Sequence, residues 1–201
     1  CEQYQAAAEA YLRGIERRVA AGLDPKVQSV ASIFVSRWDA AVQDKVAEPL
    51  RNRLGIAVAR RTYRAYRELL DTARWRKLAA AGAAPQRVLW ASTGTKDPKA
   101  PDTLYIEALA APGTVNTMPE ATLLAFADHG KVNGPMPADG GDADALLAQF
   151  AHSQVEQGPI AAQLQRDGAR SFTKSWTDLL ACLASKSAQL TQADPAAVSQ
   201  R

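Results

Sequence analysis

Cysteine is scarce in this 201-residue chain, which has only Cys1 and Cys182. Two cysteines are too few for a disulfide framework, and their spacing is not that of a metal site. Histidine is as rare: neither His129 nor His152 has a metal-spaced partner, so no metal is expected. No apolar run approaches the roughly 20 residues needed to span a bilayer, and the N-terminus shows no signal-peptide pattern. A membrane partner is therefore not expected, and a reducing, cytoplasmic setting is. An excess of one charge is missing too. The 24 basic and 21 acidic residues leave a net charge of +3, and the two signs are interleaved, which does not suggest nucleic acid. What is present is a hydrophobic fraction of 47% in a chain long enough for one domain with a real core.

The chain opens on Cys1, not on methionine, and enters a helical pattern at once. That start is expected of a piece of a longer protein. Tyr4, Ala7, Ala8, Tyr11, Leu12, Ile15 and Val19 form an apolar stripe at spacings of three and four, closed by Gly22. A strand follows in "SVASIFVSRWD", residues 29 to 39, apolar from Val30 to Val35 apart from Ser32 and ending on Ser36 and Arg37. Helices are predicted over 39–47, 50–72 and 74–82, then a strand at 87–92, a short helix at 103–109, and a strand at 114–118. Pro119 is placed at the first position of a helix that ends at His129 before Gly130, where the imidazole would complement the helix dipole. The segment 131–141 is a loop, two helical runs follow, and the tail 191–201 looks frayed. Trp38, Trp75, Trp90 and Trp176 are assigned to the core.

Strands that alternate with helices, each a near-continuous apolar run, predict parallel β-structure buried on both faces. Three strands cannot close a sheet, and a (β/α)8 barrel takes about 250 residues. The pattern is that of the last part of a βα array finished by extra helices. In such arrays ligands collect at the C-terminal ends of the strands. The first end offers Ser36 and Arg37; the second Ser92, Thr93, Gly94, Thr95 and Lys96; the third Asn116, Thr117 and Glu120. A fixed cation beside small hydroxyls and a glycine is what a phosphate needs. Each has a plainer reading: Arg37 pairing with Asp39 or a loop carboxylate, Lys96 as a solvated loop charge, Ser32 bonding back inside a core strand.

The blocks "SVASIFVSRWD", "RVLWASTGTKDP", "DTLYIEAL", "TVNTMPEATLLAFADHG" and "DGARSFTKSWTDLLACLASKSA" together resemble the C-terminal half of a bacterial transaldolase. The resemblance runs over residues 2 to 190, in the family's order. It is to the longer form of the enzyme, which also occurs fused ahead of a phosphoglucose isomerase domain. It implies an α/β fold: about three βα units of a TIM (β/α)8 barrel, its strands six to eight, over 1–130, with a C-terminal helical extension over 131–201. It implies an enzyme of the pentose phosphate pathway without metal or organic cofactor. A lysine takes a dihydroxyacetone unit as a Schiff base from a ketose phosphate and passes it to an aldose phosphate. The implied substrates are sedoheptulose 7-phosphate with glyceraldehyde 3-phosphate, and fructose 6-phosphate with erythrose 4-phosphate.

By the same resemblance Ser32 faces the dihydroxyacetone unit, and Arg37 binds substrate phosphate. Ser92 stands at the phosphate end of the next strand. Shorter transaldolases carry another arginine two residues after that serine. This chain has Gly94 there, and Lys96 is the candidate replacement. The Schiff-base lysine and the acid–base carboxylates of the family belong to earlier strands, upstream of Cys1, and none of the chain's own lysines lies in an apolar strand run. The alternative is a non-catalytic fragment that binds sugar phosphates or another protein.

Overall fold

A computed structural model describes residues 1–193. The predicted tail therefore falls largely outside the described residues. Three strands, β1 (Ser29–Phe34), β2 (Gln86–Ala91) and β3 (Thr114–Asn116), form one parallel sheet in the order β1-β2-β3. Helix α1 (Glu2–Ala20) precedes β1. After β1 come the single-turn α2 (Ser36–Ala40), a 3-10 turn at Glu48–Leu50, α3 (Leu54–Leu70) and α4 (Ala73–Ala80). The short α5 (Leu104–Ala108) links β2 to β3, and α6 (Glu120–His129), α7 (Ala143–His152) and α8 (Gln157–Ala193) complete the described chain. Parallel neighbours joined through helical crossovers are the βα array the sequence implies.

Local chemistry explains the boundaries. Thr72 caps α4 by accepting from the Trp75 N–H at 3.1 Å. Gly22 and Gly82, after α1 and α4, have φ of 67° and 95°, a conformation most side chains avoid. Pro119 precedes α6 with extended backbone, one position earlier than expected. A proline there withholds a donor the helix does not use. The helix expected over 39–47 instead starts at Ser36 and ends at Ala40, so Arg37 lies in a helical turn beyond the strand.

Register sorts the strand residues by face. Ala31, Ile33, Val35, Val88 and Trp90 pack with Tyr4, Ala8, Ala59, Tyr63 and Tyr66 of α1 and α3 in the main core. Trp90 is fully buried, and its indole N–H donates to Leu109 O at 3.0 Å. Leu12, Ile15, Trp75 and Leu78 make a smaller cluster between α1 and α4. Arg74 fastens the same pair of helices by bonding Glu9 and Glu16. Tyr4, Ala8, Leu12 and Ile15 of the α1 stripe are buried, whereas Ala7 and Val19 are exposed.

The other face departs from expectation. Val30 is 42% exposed and Ser32 is exposed, with Leu89 and Ala91 beside them in register and only partly buried. Within the unit of residues 1–156 the strands are thus better covered on one face, where α1 and α3 pack with the odd-numbered residues of β1. Two further tryptophans also leave the core. Trp38 is half-buried, and Trp176 is 61% exposed.

Two compact units divide at Glu156 and Gln157, with α7 packed on α3 inside the first. The second unit contains the 37-residue α8, whose Phe172, Trp176, Leu179, Leu180 and Leu183 recur on one side and are exposed. Among the described residues no helix is long and apolar enough to cross a membrane, and no cluster of side chains suits a metal ion.

In the unit of residues 1–156 an open sheet face and two edge strands, β1 and β3, invite association. The 201-residue polypeptide by itself is expected to self-associate and to bind an apolar dye such as ANS. A monomeric elution profile with a single sharp melt and no dye binding would contradict this.

Candidate functional site

The C-terminal ends of β1 and β2 are joined beyond the strands themselves. Val35 N–H donates to Ala91 O at 2.9 Å and Ser36 N–H to Ser92 O at 3.0 Å. The Ser36 and Ser92 hydroxyls meet at 2.8 Å. Ser92 has φ of 55°, in the left-handed region that a non-glycine residue seldom occupies. Strain of this kind is tolerated where neighbouring contacts over-determine the conformation, and the paired serines supply such contacts.

Arg37 leaves this junction from the turn of α2. Its guanidinium lies over the Phe34 ring, 4.3 Å from the centroid. Phe34 shares the open sheet face with Ser32, two residues earlier on the strand. Among the described residues Arg37 forms no ion pair, and Ser32 makes no side-chain hydrogen bond. Both plainer readings are therefore displaced. Ser32 does not bond back within a core, because its side of the strand is open. Arg37 does not pair with Asp39, because Asp39 turns the other way.

Asp39 is buried and fully engaged. Its carboxylate accepts from the Leu54 N–H at 2.8 Å, from the Gly55 N–H at 3.2 Å and from the Tyr105 hydroxyl at 2.8 Å. The first N–H groups of a helix have no partner within it, and Asp39 supplies one for α3 while complementing the helix dipole. Burial raises its pKa, opposed in part by the Tyr105 hydroxyl and by the backbone N–H groups of Gly55 and Leu54. Burial and the adjacent carboxylate push the Tyr105 hydroxyl up as well. Gly55 is required at this junction. A Cβ there would stand 2.5 Å from Val35 O and 2.7 Å from an Asp39 oxygen.

The loop after β2 is held from within. Thr93 is fully buried, and its hydroxyl donates to Thr117 O at 2.6 Å. Thr95 bonds Pro101 O at 2.8 Å. Asp97 accepts from the Asn52 side-chain amide at 2.8 Å and from the Lys99 N–H at 2.9 Å. Those hydrogen bonds, the Lys99 N–H first, hold its carboxyl below the usual range. A Cβ on the buried Gly94 would come 3.1 Å from Pro119 Cγ. A side chain at position 94 would therefore crowd the Pro119 ring at the start of α6. Lys96 is exposed and forms no ion pair among the described residues.

The end of β3 offers less. Thr117 is turned back on Trp90 O through both its N–H and its hydroxyl, at 2.9 and 3.1 Å. Asn116 contacts the Thr93 hydroxyl at 3.1 Å, and Glu120 is exposed. His129 sits in the last turn of α6 as expected, but it bridges two carboxylates, Asp102 at 2.9 Å and Asp128 at 3.1 Å. These hydrogen bonds, that to Asp102 first, raise its pKa.

Of the four site residues drawn from the sequence, Ser32 thus lies within β1, Arg37 just beyond its C-terminal end, and Ser92 is tied to that end through Ser36. Lys96 stands on the neighbouring loop. Ser36 is among the groups the sequence offers at the first strand end; Phe34, Asp39 and Tyr105 are not. Tyr105 reads as one more apolar position of a short helix, and nothing local marks Asp39 as the partner of a tyrosine 66 residues away.

The model of the Transaldolase/Fructose-6-phosphate aldolase family matches residues 1–183. Among curated relatives, a transaldolase of a Parafrankia species is 49% identical over 188 residues, 89% of this chain and 51% of the relative. A transaldolase of Thermobifida fusca is 46% identical, over 89% of this chain and 51% of its own length. Transaldolase 1 of Streptomyces coelicolor is 45% identical, over 90% and 50%. The chain spans about half the length of the curated relatives it matches.

Proposed function

The chain belongs to the transaldolase/fructose-6-phosphate aldolase family, and on that premise we propose that it is the phosphate-binding part of a transaldolase. In this reading β1, β2 and β3 are the sixth, seventh and eighth strands of a (β/α)8 barrel, and the uncovered face of the sheet is the barrel's interior. The complete protein moves a dihydroxyacetone unit from a ketose phosphate to an aldose phosphate. Sedoheptulose 7-phosphate and fructose 6-phosphate are the donors; glyceraldehyde 3-phosphate and erythrose 4-phosphate are the acceptors. Ser32 faces the dihydroxyacetone unit, Arg37 holds the phosphate, Ser92 lines the phosphate end, and Lys96 stands in for the arginine that Gly94 replaces.

The observation that carries this reading is Arg37: a guanidinium at the C-terminal end of a parallel strand, stacked on an aromatic ring and forming no ion pair among the described residues. Such a group offers an oxyanion two parallel N–H donors. The open face it borders carries a hydroxyl, Ser32, among apolar neighbours, as a polyol needs.

Covalent catalysis requires a lysine that is neutral at working pH, which calls for desolvation. The lysines of this chain are all exposed, and none stands on a strand. We therefore assign the Schiff-base lysine, with the acid–base carboxylates, to sequence outside these 201 residues. The same observation favours a second reading for the polypeptide taken alone: a sugar-phosphate-binding fragment without turnover.

Borohydride reduction in the presence of fructose 6-phosphate tests the assignment. The 201-residue polypeptide is expected to give no adduct by intact mass, whereas the full-length protein that carries it gives one. A stoichiometric adduct on Lys26, Lys45, Lys77, Lys96, Lys99, Lys131, Lys174 or Lys186 would place the nucleophile in this chain instead.

A further inference from the structure

The backbone beneath Arg37 is held on both sides. Val35 and Ser36 are bonded to the end of β2. Three residues after Ser36, the Asp39 carboxylate is bonded to the start of α3 and, through the Tyr105 hydroxyl, to α5. Tyr105 belongs to the connection that follows β2, so its 2.8 Å bond to Asp39 joins the segment after β1 to the segment after β2. A second bond joins the same two segments nearer the surface. Asn52, just ahead of α3, donates to Asp97, which lies between Lys96 and Lys99. Asn52 has φ of 59°, in the left-handed region that asparagine tolerates better than most residues.

We propose that the Tyr105–Asp39 bond, seconded by Asn52–Asp97, makes these four positioning residues: they hold the connection bearing Arg37 fixed against the loop bearing Ser92 and Lys96. None of them touches substrate in this assignment. They act through Arg37 and the loop. An arginine side chain loses much rotamer freedom when it grips an anion, and a wandering backbone would add to that loss. Fixing the backbone in advance removes that second cost and appears as affinity. Two alternatives for the buried pair find no support. Asp39 forms no ion pair among the described residues; its partners are two backbone N–H groups and a hydroxyl. The carboxylate is spent on three donors, so it is not a poised acid or base.

The inference rests on Arg37 as the phosphate ligand, and the experiment separates the two. In the full-length protein, Tyr105→Phe removes one hydroxyl and keeps the ring. KM for fructose 6-phosphate is expected to rise about tenfold, the scale of one hydrogen bond to a charged group, with kcat changed less than about twofold. Kinetics with unphosphorylated fructose as donor should be unchanged. In an Arg37→Ala background the same substitution should add nothing, since its effect passes through Arg37. Asn52→Gly keeps the left-handed backbone while deleting the amide, and a smaller rise of the same pattern is expected. It also serves if Tyr105→Phe does not fold. Equal losses with both donors, or an additive loss in the double variant, would make these residues general supports and overturn the proposal. A donor-selective Arg37→Ala beside an uncoupled Tyr105→Phe would overturn the positioning role alone. An Arg37→Ala that fails to distinguish the donors would remove the phosphate reading and the positioning role with it.

Discussion

Replacing Arg37 by alanine in the full-length protein is expected to cost about 2 to 4 kcal/mol of transition-state stabilisation with phosphorylated substrates, the scale of losing one partner of a desolvated charged pair. That is roughly a 30- to 1,000-fold fall in kcat/KM. The loss should be far smaller with an unphosphorylated ketose, which never engages the guanidinium. Arg37→Lys should recover little, because an ammonium cannot make two parallel bonds from one planar group or stack as flatly on Phe34. Lys96→Ala should show the same donor selectivity if its ammonium substitutes for the arginine absent at Gly94. Ser32→Ala should instead affect both donor types if its partner is the unit they share. Steady-state kinetics with matched donors decides among these. Equal losses for both donors on removing Arg37 would mean that it supports the fold.

The second large effect concerns stability. Asp39→Ala would leave the Leu54 and Gly55 N–H groups and the Tyr105 hydroxyl buried without an acceptor. Each unsatisfied group costs about 1 to 3 kcal/mol, and relief of the carboxylate's own desolvation offsets part of the sum. A net loss of about 3 kcal/mol is expected, enough to lower the Tm of a full-length protein about twice as long as this chain by roughly 4 °C. Asp39→Asn should fall between, since it keeps one acceptor but turns an NH2 toward donors. A Tm within about 1 °C of the parent for the alanine variant would mean that water replaces the carboxylate, and that the junction is looser than its geometry implies. The two predictions are coupled. If Asp39 sets the backbone under Arg37, its loss should also weaken phosphate binding at temperatures where the variant remains folded.

Much of this was legible in the residues. The order of helices and strands follows from local periodicity. Tyr4, Ala8, Leu12 and Ile15 recur at helical spacing, and "SVASIF" and "QRVLWA" are short and β-rich, bounded by polar turns. Spacing of this kind is carried by neighbours in sequence, so it survives without knowledge of the fold. The family, too, was readable from five blocks in order, and the clustering of candidate groups at strand ends follows from parallel topology alone.

The tertiary structure decided what each side chain faces. Val30 and Trp176 look like core in a hydrophobicity profile and are exposed. Burial depends on whether another element covers a face, and no local pattern reports that. Asp39 illustrates the same point for polar groups. In sequence it stands two residues from Arg37, and an ion pair is the natural guess. In the fold its oxygens are claimed by donors 15, 16 and 66 residues away. Ser36 and Ser92 meet across 56 residues. A buried acceptor must find donors wherever packing brings them, because leaving it unpaired costs more than most single contacts return. The chain's local chemistry therefore determined the elements and the family, while long-range hydrogen bonding decided which residues hold the strand end and, among the described residues, left the Arg37 guanidinium without an ion pair.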